Sequence, residues 1–394
     1  MGKTKPMGIF LNFWQKTKLF FKRTWQWIVE HKLVSAMVAG GLAIALTLAI
    51  VLPLAINPKK PTQKEENEKK QEIFHEEESL LSPFANMTMW TNTQSPYSIN
   101  GVADLAMLSS DTGVKVFHLG FINPDQNKYL DPDGSIRWCW GGYGELSPQR
   151  TDGFQYNGIE KSIQNLRNEG GEIIISFGGQ AGVSPWTCTQ NIDALEKMYI
   201  DVINTYSLSR IDLDIETSNQ NASHAAANAQ AIKRVQDKTG VEVSLTIPIM
   251  PSGWQDKQIA LIDAYLNAGV ELVCINSMTM CYGAGLLPGE DYAWASVRAL
   301  KNANRQLGEL YKAHGKTLSE KDLYKKMGAT VAIGYEGDAF PIFTTENMQV
   351  VASFAKKAGL GMLSFWSINR DAELYYNKGI NSAYEFIEVC KNNF

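Results

Sequence analysis

From residue 84 onward, short runs rich in β-branched and aromatic residues alternate with longer runs whose apolar positions recur at helical spacing. The strand-like runs are FANMTMW (84–90), VKVFHLGFI (114–122), EIIISFGG (172–179), RIDLDIE (210–216), VEVSLTIPI (241–249), LVCINSMTM (272–280), ATVAIGYE (329–336) and GMLSFWSI (361–368). Between them the pattern predicts helices over 158–168, 191–206, 222–238, 258–268, 294–313 and 346–358, several stopped by a glycine that takes the left-handed turn ending a helix. Eight β-runs alternating with helices predict an α/β chain folded as a closed (β/α)8 TIM barrel. An open doubly wound sheet fits less well, since no GxGxxG turn follows the first strand. In a barrel the chemistry sits at the C-terminal ends of the strands, so the last residues of each run carry the functional information.

The N-terminal pattern is different. No charged residue occurs from 33 to 58, and about 20 apolar residues suffice to cross a bilayer as a helix. The run is longer than the apolar region of a secretory signal, so it predicts one uncleaved transmembrane helix ahead of the barrel. Lys16, Lys18, Lys22, Arg23 and Lys32, interleaved with Trp14, Phe20, Phe21, Trp25 and Trp27, precede it as a cytoplasmic interfacial segment does under the positive-inside rule. Residues 59–79 are dense in Lys and Glu and cannot fold alone. The expected organisation is a basic cytoplasmic segment (1–32), an anchor in the lipid bilayer (33–58), a charged stalk (59–80) and an extracellular barrel (81–394).

Charge narrows the partners. The chain of 394 residues has a formal net charge of −4, and its first 60 residues, with nine Lys/Arg and one acid, carry +8, leaving −12 on the rest. A barrel that acidic argues against a nucleic-acid partner. The five cysteines (Cys139, Cys188, Cys274, Cys281, Cys390) form no CxxC pair, the five histidines no HExxH, and His118 lies in an apolar run where a core role is expected. No metal and no cofactor is expected.

The chemistry concentrates in IDLDIE. Strand side chains alternate, so Asp212, Asp214 and Glu216 share one face and Ile211, Leu213 and Ile215 the other. Alone, that pattern also fits a strand with one wet face. An all-parallel barrel has helices outside and core inside, so the acids must line its interior and mouth. Like charges crowded there raise at least one pKa and leave a proton available near neutral pH, as a general acid requires.

This segment resembles the DxxDxDxE signature of glycoside hydrolase family 18, with Asp212, Asp214 and Glu216 at its last three acids. SFGG (176–179) resembles the family's SxGG, TIPIMPSGW (246–254) its fifth-strand segment, MTMCYG (278–283) the MxMDYG of one bacterial branch, and FWSINRD (365–371) its WSxNRD. The resemblance implies a chitinase-like glycosidase that cleaves β-1,4-linked N-acetylglucosamine polymers by retaining, substrate-assisted hydrolysis. Endo-β-N-acetylglucosaminidase action falls within the same chemistry.

In that scheme Glu216 protonates the glycosidic oxygen. Asp214 holds the 2-acetamido N–H so that the carbonyl oxygen attacks the anomeric carbon, and Asp212 tunes Asp214 through a shared proton. Tyr282 steadies the acetamido group, and Trp366 forms the floor under the distorted sugar. Ser176, Gly178, Gly179 and Met280 are expected along the sugar, and Trp140, in the aromatic loop at 123–157, is expected to stack on a pyranose face. The sequence departs from the family's pattern at Ser209 (an acid), Arg210 (a glycine) and Cys281 (an acid). The alternatives are a catalytically silent, lectin-like barrel, against which Glu216 weighs, and a magnesium-dependent lyase, against which the origin of all three acids in one strand weighs.

Overall fold

The computed structural model describes residues 73–75, 79–88, 95–148, 153–372 and 378–394, all within one compact unit, Asn67–Phe394. The expected cytoplasmic segment and anchor lie outside the described residues. Among the described ones, no helix is long and apolar enough to cross a membrane.

Eight parallel strands form the barrel: β1 (Phe84–Asn86), β2 (Val116–Pro124), β3 (Glu172–Gly178), β4 (Arg210–Asp214), β5 (Glu242–Pro248), β6 (Leu272–Met278), β7 (Met327–Ala332) and β8 (Met362–Trp366). They pair in sequence order, and Trp366 opposite Phe84 closes the ring. All eight coincide with strand-like runs of the sequence. Every residue of β3, β4 and β7 is buried, as expected where helices cover a parallel sheet.

The helices that follow these strands are α1 (Leu105–Thr112), α2 (Phe154–Asn168), α3 (Ile192–Tyr206), α4 (Ala222–Thr239), α5 (Asp256–Asn267), α6 (Tyr292–Ala313), α7 (Thr345–Ala358) and α8 (Glu385–Asn393). Several are capped in sequence-legible ways: Asn191, Asp291 and Thr344 accept backbone N–H groups at the starts of α3, α6 and α7, and Gly240 and Gly359 take φ of 70° and 72° at the ends of α4 and α7. Helix α2 begins four residues before the expected Gly158. That glycine is no boundary: a Cβ there would meet the Ile99 carbonyl oxygen at 2.6 Å, so it marks a close crossing inside the helix.

The barrel's packed residues begin earlier than expected. Residues 73–75, which the sequence assigns to the charged stalk, form a helical turn whose Phe74 is buried against Val116 and Ile174 at the foot of the barrel. The Arg210 guanidinium lies 5.2 Å from the Phe74 ring and 3.1 Å from Glu242, whose other oxygen is 2.7 Å from His75 Nε2. Arg210 is thus held by a cation–π contact and an ion pair. Burial of the Phe74 ring contributes about 1.5–3 kcal/mol, an effect invisible to composition because one apolar residue in a charged stretch carries it.

Register places the functional side chains. Ser176, Asp212 and Ser244 lie level on β3, β4 and β5. One step nearer the mouth, Gly178, Asp214 and Thr246 are level, and Thr246 opposes Asn276 of β6.

Candidate active site

Asp212 is wholly buried and accepts three hydroxyl hydrogen bonds, from Ser176 (2.7 Å), Ser244 (2.7 Å) and Thr246 (2.9 Å). Burial pushes its pKa up to about 6, against the pull of those donors and of Arg210. Asp214, 4% exposed, is raised well above the carboxylate range, first by burial and then by the charges of Glu216 and Asp212. Glu216 is raised to about 7 by burial, offset by a hydrogen bond with Asp214. The carboxyl–carboxyl hydrogen bond at the mouth therefore joins Asp214 to Glu216, whereas Asp212 is satisfied by hydroxyls and acts on Asp214 through its charge. Asp214 Oδ1 has no hydrogen-bond partner, a costly state for a buried oxygen that points to an external donor.

The backbone after β4 aims Glu216. Thr217 follows in the left-handed region (φ 50°), unusual for a β-branched residue, and opens a single 3-10 turn, Thr217–Asn219. That turn is pinned where Asn219 donates to the Gly179 carbonyl oxygen (3.3 Å) and accepts from Trp186 Nε1 on its own carbonyl oxygen (3.2 Å).

Asp214 and Glu216 open into a cavity of about 320 Å³ at the C-terminal end of the barrel, also lined by Phe84, Phe121, Thr246, Met250, Met280, Cys281, Thr330, Glu336, Trp366 and Arg370. Trp366 stacks on Phe121 (ring centroids 5.7 Å apart, planes 17° apart) and leans on Phe84, giving an aromatic floor. Arg370 pairs with Glu336 at the rim. A larger depression of about 560 Å³ lies between the loop at 131–138 and α3, but its Asp131 and Asp133 are paired with Arg137 and Lys197, its Asp201 accepts from Trp138 Nε1, and it holds no carboxyl pair with raised pKa values. Among the described residues, no group of three or more His, Cys, Asp or Glu side chains is disposed to hold a metal ion.

Five residues expected along the sugar, Tyr282, Trp140, Gly178, Gly179 and Ser176, are not among those lining this cavity. The Tyr282 ring is buried beside Tyr292, and its hydroxyl donates to Ser296 of α6 (3.1 Å), away from the cavity. The left-handed backbone at Cys281 (φ 54°) turns the chain just before it, and it is the Cys281 side chain that lines the cavity. Trp140 is fully buried, its Nε1 donating to the Tyr206 hydroxyl (2.9 Å), because the strand Trp138–Trp140 pairs antiparallel with the end of β2 instead of forming an open loop. Gly178 and Gly179 serve the backbone: a Cβ on Gly178 would meet the Asp214 carbonyl oxygen at 2.3 Å, and one on Gly179 would meet the Phe121 ring at 2.8 Å. Ser176 supports Asp212 from beneath the cavity. Met280 and Trp366 line it.

No family model matches the chain. It is 28% identical over 289 residues to a probable bifunctional chitinase/lysozyme of Escherichia coli (strain K12), covering 70% of this chain and 30% of that one. Endochitinase 11 of Metarhizium anisopliae is 27% identical over 284 residues, covering 70% and 51%. The chain thus spans about half or less of the length of the curated relatives it matches. The catalytic domain of the hyperthermophilic chitinase from Pyrococcus furiosus superposes with a TM-score of 0.64 at 26% identity, over 80% of this chain and 95% of that one.

The chain is chitinase-like in sequence and fold. Its eighth-strand motif also acquires a physical reading. Asn369 exchanges hydrogen bonds with the Asn86 backbone (2.8 and 3.1 Å), tying the end of β8 to β1, and Asp371 accepts from the Phe386 and Ile387 N–H groups (3.0 and 2.8 Å), capping α8. His118 is a core residue of this chitinase-like barrel. It is fully buried, stacked on Phe84 and 2.8 Å from Ser82 Oγ, and desolvation lowers its pKa to about 3.

Phe84, Phe121, Glu336 and the interior polar residues Thr246, Asn276 and Thr330 carry no role in the sequence motifs. The signal that could have found three of them is the alternation that places the acids of β4 inside, since the same period along β5, β6 and β7 points Thr246, Asn276 and Thr330 inward as well.

Proposed function

We propose that the barrel hydrolyses β-1,4-linked N-acetylglucosamine polymers by a retaining, substrate-assisted route. The reading is carried by one observation: a carboxyl pair, buried Asp214 and half-buried Glu216, sharing a hydrogen bond at the mouth of an aromatic-floored cavity, with Glu216 poised at about 7. Glu216 gives its proton to the leaving oxygen. Asp214 turns its unpartnered oxygen to the 2-acetamido N–H, directing the carbonyl oxygen onto the anomeric carbon, while Trp366 supports the distorted ring. The chitinase names of the relatives point to the same substrate class. Incubating the full chain with chromogenic chitooligosaccharides, with and without EDTA, tests the proposal. EDTA-resistant cleavage supports it, chelator-sensitive cleavage favours the metal-dependent alternative, and binding without turnover favours the glycan-binding one.

The pH dependence has a definite sign. A general acid works only while protonated, so with Glu216 raised to about 7, kcat/KM falls as pH rises through that value. The basic limb of the pH–rate profile is therefore expected near neutrality. A limb near the ordinary pKa of a glutamate, about 4.3, would contradict the assignment.

We also propose that residues 33–58 hold the chain in the cell membrane by a single pass, with the N-terminus cytoplasmic and the barrel outside. The uncharged run and the basic, aromatic segment before it support this. Protease added to intact cells would then remove the barrel, and its survival under conditions that digest other surface proteins would refute the orientation.

A further inference from the structure

Beneath the carboxyl pair runs a polar chain that the proposed reaction does not use directly. Thr246 Oγ1 donates to Asp212 (2.9 Å) and accepts from Asn276 Nδ2 (3.0 Å), and the same amide nitrogen donates to Thr330 Oγ1 (2.7 Å), whose hydroxyl lies 3.0 Å from Asn276 Oδ1. All these side chains are buried in the barrel interior. A hydroxyl has one proton to give. With the amide N–H occupying a lone pair of Thr246, that proton is directed onto Asp212 as the third donor beside Ser176 and Ser244.

We propose that Thr246 and Asn276 are positioning residues that hold Asp212 as the charged member of the acid trio, so that the proton resides on the Asp214–Glu216 pair where the reaction consumes it. The proposal rests on the reading of that pair given above. Three charge-stabilising hydrogen bonds favour the ionised form of Asp212, whose negative charge in turn opposes ionisation of Asp214. An acceptor at position 276 would reverse the chain: Thr246 would give its proton to that acceptor, and Asp212 would lose a donor.

The charged and titratable groups around Asp212 leave this role open. On its own strand it faces Asp214 and Glu216 above and Arg210 below. Cys274 of β6 lies within electrostatic reach, with its thiol raised to about 12 by burial. The acids at the starts of β3 and β5, Glu172 and Glu242, are already paired with Arg167 and Arg210. From β3 and β5 the groups hydrogen-bonded to Asp212 are hydroxyls, so its ionisation depends on where their protons point.

The test is a titration of the Asp212 carboxyl by carbon-13 NMR in the full chain, without substrate, beside the acid limb of kcat/KM on chitooligosaccharides. Thr246→Val removes the donor without changing shape and is expected to move both the titration and the acid limb up by about one pH unit. Asn276→Asp, which turns the amide donor into an acceptor, is expected to move them at least as far. Thr246→Ser keeps the hydroxyl and is expected to restore wild-type behaviour. A Thr246→Val carboxyl that titrates at the wild-type position overturns the proposal, and if that variant fails to fold, an unmoved Asn276→Asp titration does the same. Wild-type chain that cleaves no N-acetylglucosamine oligomer would refute the proposed function instead, while the titration, which needs no turnover, still decides the roles of Thr246 and Asn276.

Discussion

Replacing Glu216 with glutamine is expected to lower turnover on chitooligosaccharides by about 10²-fold or more while leaving oligosaccharide affinity near wild type. The substitution keeps the size of the side chain and a group able to hydrogen-bond Asp214, so the cavity and its aromatic floor persist. Only the transferable proton is removed. The loss therefore falls on kcat, the pattern of an interaction made in the transition state. Steady-state kinetics together with calorimetric binding of an uncleaved oligosaccharide separate the two effects. Unchanged kcat would remove Glu216 from the role of acid, and a loss of affinity equal to the loss of rate would recast it as a binding group.

Asp214→Asn is the second large effect, an expected fall in kcat of about 10²-fold, the size associated with removing one preorganised electrostatic partner of a developing charge. The Oδ1 of Asp214 is a buried acceptor without a protein donor, in a residue 4% exposed that lines the cavity where the acetamido group is expected. An amide in its place either presents N–H to N–H or turns its oxygen at the expense of the bond to Glu216. Affinity for an analogue carrying the cyclised 2-acetamido group is expected to fall with kcat, while affinity for the intact oligosaccharide changes little. Equal affinity of the variant and the wild-type chain for that analogue would show that Asp214 does not act on the acetamido group.

The sequence was most legible where a strict period operates. Eight β-runs and the alternation of IDLDIE placed the strands and put Asp212 and Asp214 inside the barrel, because a parallel sheet under helices has no wet face on which to put them. Legibility failed just beyond the strand ends. Whether Tyr282 or Cys281 faces the cavity turns on a left-handed residue inside the MTMCYG segment (278–283), and Cys281 is not a residue type that announces that conformation. Trp140 read as a loop aromatic because the antiparallel pairing of three residues with β2 is a tertiary event with no local period. Phe74 was hidden for the opposite reason, one apolar side chain in a highly charged stretch finding a hydrophobic seat supplied by β2 and β3. The glycines of SFGG carried a real signal of close approach, but the approaching groups are the Asp214 backbone and the Phe121 ring, which no spacing within the motif encodes.

The central claim is that the protein supplies a proton and an orienting carboxylate while the substrate's own acetamido oxygen supplies the nucleophile. Its most direct test is the anomeric form of the first product, followed by proton NMR during cleavage of a chitooligosaccharide by the full chain, before mutarotation equilibrates the ends. Two successive displacements at the anomeric carbon predict that the β-anomer appears first. Initial release of the α-anomer would mean that water attacks directly, and the assignment of Asp214 would fall with it.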